Sequence, residues 1–139
     1  MEDEMILTVP AKSENEALAR VAVAAFAGRL RPTLEELDDL RTAVSEAVTN
    51  AVVHGYPDGE GMVVVRCIAV QRRIILEVTD HGVGIEDVEK AREPFFTTGS
   101  PQERSGMGFT VMEAFTDTLL VESAPGEGTT VHMEKEFSH

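Results

Sequence analysis

Asp80-His81-Gly82-Val83-Gly84-Ile85 is the stretch whose reading decides the fold of this chain. It directly follows Ile74-Ile75-Leu76-Glu77-Val78, a short apolar run of strand length and β-branched character. A carboxylate at a strand end, followed by two glycines one residue apart, suits a ligand loop. Without Cβ the backbone lets a flat ligand lie close, and the carboxylate accepts hydrogen bonds from the ligand's edge. Ordinary turns carry the same pattern. Two further stretches bear on the choice: Glu46-Ala47-Val48-Thr49-Asn50 upstream and Arg104-Ser105-Gly106-Met107-Gly108-Phe109 downstream.

Upstream of the loop, Met5 to Val9 is a short strand candidate. Ser13 and Glu16 have capping-box spacing, and the helix they open carries Leu18, Val21, Ala22, Ala25 and Phe26 on one predicted apolar face, ending near Gly28. Thr33 and Glu36 form a second box. Leu37, Leu40, Val44, Val48 and Ala51 then recur at helical spacing, which predicts a helix running to His54-Gly55 with Gly as its cap. Glu46 and Asn50 lie one turn apart beside that stripe, so both would point into a pocket built against it.

Met62 to Val70 and Arg72 to Thr79 read as antiparallel neighbours, with Cys67 on the Val63, Val65 and Ala69 face as a small core residue. Glu86 to Arg92 predicts one or two helical turns stopped by Pro94. Residues 95–104 have the Gly, Pro and polar composition of a lid. Met107 to Phe115 predicts a helix, and Thr118 to Ser123 and Thr129 to Phe137 two last strands. The order β-α-α-β-β, lid, α-β-β predicts an α/β (α+β) two-layer sandwich: a mixed, mostly antiparallel sheet with helices on one face, in a single domain over 1–139.

With 139 residues and a formal net charge of −13, the chain is poorly suited to generic binding of nucleic acid, which needs clustered Lys and Arg to meet phosphates. Its acidity favours basic protein partners, and a nucleotide is still compatible when a metal and oriented N–H groups hold its phosphates. One cysteine excludes an intrachain disulfide and fits a reducing cytoplasm. The acidic N-terminus lacks a signal-peptide pattern, and no apolar stretch has membrane-spanning length.

Gly106 and Gly108 open a helix, where free N–H groups and the dipole attract an anion; Arg104 adds charge just before them. A plain loop with a solvent-facing Arg reads equally well. Asn50 offers a neutral oxygen suited to Mg²⁺, or is a buried Asn bonded to backbone. Glu46 is placed to take a proton from an attacking hydroxyl, or is a solvated helix glutamate. His54, His81, His132 and His139 show no metal-ligand spacing.

Glu46-x-x-x-Asn50, Asp80-x-Gly82-x-Gly84, Gly106-x-Gly108 and Gly128-Thr129 occur in the order seen in the GHKL (Bergerat-type) ATP-binding superfamily, and the resemblance spans nearly the whole chain. Within it the chain resembles the anti-sigma serine kinases of sporulating bacteria through Ser13 to Glu16, Val44 to Ala51, Phe96 to Thr98 and Glu103 to Thr110. The resemblance implies ATP or ADP with Mg²⁺ as cofactors. Asp80 would accept from the adenine amino group, Gly82 and Gly84 would shape the purine slot, and Thr129 would support the same end. Asn50 would hold Mg²⁺. Gly106, Gly108 and Phe109 would give N–H groups to the phosphates under a lid with Thr98 and Ser105. Arg104 would reach the γ-phosphate, and Glu46 would be the base. Implied partners are a sporulation sigma factor, met by the first helix through Arg20, an anti-anti-sigma protein as phosphorylation substrate, and a second copy of the chain. Neither nucleic acid nor membrane is implied. Close relatives can carry Lys after the lid's Thr-Thr, where this chain has Gly99-Ser100. Alternatives are a non-catalytic, nucleotide-gated sigma binder and a general-stress anti-sigma kinase.

Overall fold

Alternation along the apolar runs builds the sheet. In β2 (Met62–Val70) Val63, Val65, Cys67 and Ala69 are buried, and in β3 (Arg73–Asp80) so are Ile74, Leu76, Val78 and Asp80, while the residues between them are not. One buried face per strand is the pattern of an antiparallel sheet covered on one side. The computed structural model describes residues 2–93 and 108–138. Its five strands include β1 (Glu2–Pro10), β4 (Thr118–Ala124) and β5 (Gly128–Glu136), in the order β1-β2-β3-β5-β4. All four neighbouring pairs are antiparallel, so the expected mixed, mostly antiparallel sheet is antiparallel throughout the described strands. β1 is longer than predicted because it pairs with β2 over its whole length, from Glu2 opposite Val70 to Pro10 opposite Met62.

The inner face is covered by α1 (Glu14–Ala27), α2 (Leu34–Asn50) and, after the single helical turn α3 (Val88–Ala91), by α4 (Gly108–Phe115). Leu40, Val44 and Val48 of α2 are buried with Met112 and Phe109 of α4 and with the strand residues, the core of a two-layer sandwich. The Thr33 capping box is present, with Thr33 and Glu36 exchanging side-chain to backbone bonds of 3.1 and 2.9 Å.

α1 departs from expectation twice. Ser13 makes no side-chain cap bond, because its backbone is already helical (φ −55°, ψ −35°) whereas a capping residue needs an extended one. Glu16 instead faces Arg20 at 3.7 Å. The buried face is Ala19, Val23, Phe26 and Ala27, while Leu18 and Val21 of the predicted face are 49% and 63% exposed. An alanine-rich helix offers two apolar stripes at helical spacing. Packing against α2 buries the stripe through Ala19, Val23, Phe26 and Ala27.

The outer face of the sheet is held by charge. Arg66 bridges Glu4 and Glu77, Arg73 meets Glu134 at 2.7 Å, and the His132 ring lies between Glu77 (3.1 Å) and Glu134 (2.8 Å). Cys67 sits in the core, where burial pushes its thiol up to about 12.

Candidate functional site

The register aligns one inward-facing row across the sheet: Val9, Val63, Asp80, Thr129 and Ser123 on β1, β2, β3, β5 and β4. The row is apolar at one end and polar at the other. Asp80 is 2% exposed and Thr129 4%. Burial raises the Asp80 pKa from its ordinary value, and the N–H groups of Gly82 and Thr129 and the nearby His81 pull the other way. The Gly82 N–H donates to Asp80 Oδ1 at 2.9 Å.

Glycines make room for this carboxylate. A Cβ on Gly55 would stand 2.7 Å from Asp80 Cγ, and one on Gly128 (φ +90°) would stand 2.2 Å from the Asp80 carbonyl oxygen. At Gly82 a Cβ would meet the Gly55 carbonyl at 1.7 Å, and at Gly84 (φ +77°) the Ala124 carbonyl at 2.0 Å. Gly82 and Gly84 therefore serve loop-to-loop approach, reinforced by the Val83 N–H donating to Gly55 O (2.9 Å) and the Gly126 N–H to Val83 O (2.7 Å). Gly55 was expected as a helix cap. The chain after α2 closes as a widened π turn over Ala51–Gly55, and the absence of a side chain at Gly55 is needed by Asp80. Tyr56, 8% exposed, pins the same corner: its hydroxyl accepts from the His81 N–H (2.6 Å) and donates to Met62 O (2.7 Å).

A cavity of about 1380 Å³ opens here. Its walls include Asn50, Gly55, Tyr56, Gly84, Phe109 and Thr129. Asp80 stands behind Gly55 and Thr129 and borders a smaller hollow of about 510 Å³. The Asn50 side chain is buried, and its Oδ1 has no hydrogen-bond partner among the described residues. A buried neutral oxygen left unsatisfied is costly unless something fills its lone pairs, so it fits a hard cation that phosphates and water otherwise surround. Among the described residues no group of three His, Cys, Asp or Glu is placed to hold a metal by itself.

The structure thus brings Asn50, Gly84, Phe109 and Thr129 to one cavity, and places Asp80, with Gly82 bonded to it, behind the Gly55 and Thr129 part of the wall. Gly108 is the first described residue of α4, and Glu46 is half-buried one turn before Asn50 and is not among the residues lining the cavity. Thr98, Arg104, Ser105, Gly106 and the Gly99-Ser100 pair lie outside the described residues. Sequence reading missed Gly55, Tyr56 and Ser123. Only the close approach of two loops distinguishes that glycine from an ordinary cap.

The histidine kinase-like ATPase domain model matches residues 9–135. The anti-sigma F factor of Clostridium acetobutylicum is 54% identical over 138 residues, covering 99% of this chain and 96% of that protein. The anti-sigma F factor of Geobacillus kaustophilus is 52% identical over 139 residues, covering 99% and 95%. In structure the chain is similar to the RsbU and RsbW domains of Rv1364c from Mycobacterium tuberculosis, with TM-score 0.69, 21% identity and coverage of 97% of this chain and 32% of that one. The catalytic domain of histidine kinase ThkA gives TM-score 0.61 at 15% identity, covering 96% of each chain, and shares the fold. With an antiparallel sheet under helices, a buried acid beside a deep cavity and this identity over nearly its full length, the chain belongs to the anti-sigma F factor family of histidine kinase-like ATPase domains.

Proposed function

We propose that the chain, acting over 1–139 as one kinase domain in the cytoplasm, binds ATP or ADP with Mg²⁺, phosphorylates a serine of an anti-anti-sigma protein and sequesters a sporulation sigma factor. The observation that carries this reading is a buried Asn50 Oδ1 with no hydrogen-bond partner among the described residues, in the wall of the larger cavity, with the buried Asp80 carboxylate just behind Gly55 and Thr129 of that wall. Asp80 receives the adenine amino group beside Gly82, Gly84 and Thr129. Asn50 holds Mg²⁺, which neutralises phosphate charge when bound. Phe109, Gly108, Gly106, Thr98 and Ser105 surround the phosphates, and Arg104 meets the γ-phosphate. Glu46 takes the proton of the substrate serine as its oxygen bonds to phosphorus and the bond to the ADP oxygen breaks. Positioning and charge neutralisation account for most phosphoryl-transfer catalysis, so these groups suffice.

The exposed side of α1 supports a partner surface. Arg20 has a side chain 42% exposed, and Leu18 and Val21 on the same helix are exposed beside it, a mixed charged and apolar surface that a protein partner could cover. A second copy of the chain completes the assembly.

Labelled ATP and an anti-anti-sigma protein test the kinase. Glu46→Ala should abolish transfer by about two orders of magnitude or more and leave ATP affinity near wild type. Transfer at the wild-type rate removes Glu46 from the role of base, and no transfer by the wild-type chain leaves a nucleotide-gated sigma binder. A pull-down from a spore-forming bacterium with ATP, and again with ADP, tests the partners: a sigma factor with one and a small phosphorylatable protein with the other.

A further inference from the structure

Ser123 and Thr129 face each other across β4 and β5, beside Asp80 on β3. Among the described residues Ser123 Oγ has three hydrogen-bond neighbours: the Ile85 N–H at 2.7 Å, the Gly128 carbonyl at 2.9 Å and Thr129 Oγ1 at 2.7 Å. A serine hydroxyl has one proton and two lone pairs. The Ile85 N–H can only donate, so it takes one lone pair. The Gly128 carbonyl can only accept, so it takes the proton. The remaining lone pair then accepts the Thr129 hydroxyl proton. This is the one assignment that satisfies all three contacts.

Thr129 has given up its proton inside the wall, and its free lone pairs are what it can show a ligand. Asp80, its neighbour in the ladder, is likewise an acceptor when ionised. We propose that Ser123 is a specificity-determining positioning residue: by taking the Thr129 proton it completes an acceptor-only edge with Asp80, which selects a base bearing an exocyclic amino group and rejects one bearing an oxo group. The inference rests on the reading above that a purine meets Asp80.

The test is calorimetric titration of the full chain with ATP and with ITP, both with Mg²⁺. The two bases differ at C6, an amino donor in adenine and an oxo acceptor in hypoxanthine, and at the adjacent N1, a lone pair in adenine and an N–H in hypoxanthine. The wild-type chain should bind ATP more tightly. Ser123→Ala frees the Thr129 hydroxyl to donate, and the ATP-to-ITP affinity ratio should fall about five- to tenfold. Ser123→Thr, which keeps the hydroxyl, should restore it. Equal weakening of both nucleotides in Ser123→Ala would make the residue a mere brace for Ile85 and overturn the proposal, as would a wild-type chain without preference. If the wild-type chain binds neither nucleotide, the purine reading falls as well. Should Ser123→Ala fail to fold, Thr129→Val removes the same acceptor, and an unchanged ratio there overturns the proposal.

Discussion

The Gly55 Cα lies against the carboxylate of Asp80, with 2.7 Å between an added Cβ and Asp80 Cγ and 2.8 Å to each oxygen. Asp80 is buried and hydrogen-bonded, so it has little room to yield. Gly55→Ala should destabilise the fold by about 1–3 kcal/mol and weaken ATP binding by an order of magnitude or more. Urea denaturation and calorimetry check both. Gly28→Ala is the contrast: its Cβ would meet nothing within 4 Å among the described residues, and φ is −56°. It should be neutral or stabilise by about 0.4–1 kcal/mol.

Burial raises the Asp80 pKa above the ordinary 3.8, against the N–H groups of Gly82 and Thr129 and the nearby His81. A carboxyl with a raised pKa in the folded state gains a proton as pH falls, sooner than it would in the unfolded chain. That proton occupies an oxygen that should accept from the base. ATP affinity should therefore drop as pH falls through a midpoint above 3.8, and Asp80→Asn should bind weakly and lose this dependence. Calorimetric titrations over that range decide it.

Tyr56→Phe removes a bond from the His81 N–H (2.6 Å) and one to Met62 O (2.7 Å). The variant keeps the ring that packs over Gly61 but leaves a part-buried N–H without its acceptor. The expected cost is about 1–3 kcal/mol of stability, measured by urea denaturation. Because His81 follows Asp80, ATP affinity should fall with it.

His132 on the outer face works the other way with pH. Burial of the ring opposes its charge, but the hydrogen bonds to Glu134 and Glu77 outweigh this and raise its pKa above 6.5. The same contacts lower the pKa of both glutamates below 4.5. The raised His132 pKa gives stability that is full below 6.5 and lost as pH rises through the folded value. The lowered Glu pKa values give stability that is full above 4.5 and lost as pH falls through theirs. The cluster should stabilise most between these limits. His132→Gln should flatten the decline of Tm on the alkaline side, which thermal melts at several pH values measure.

The strands, and α2 with its cap, were legible in the sequence itself. Local rules govern them: period-two burial makes β2 and β3, helical spacing makes α2, and a Thr33–Glu36 box satisfies its first N–H groups. Tertiary structure alone decided which stripe of α1 faces inward, because two faces had the right spacing and the fit against α2 chose between them. It also decided that Gly55 exists for Asp80, that Tyr56 ties the corner, and that Ser123 stands beside Thr129. These depend on segments distant in the chain meeting within van der Waals range, and neither composition nor periodicity encodes that distance.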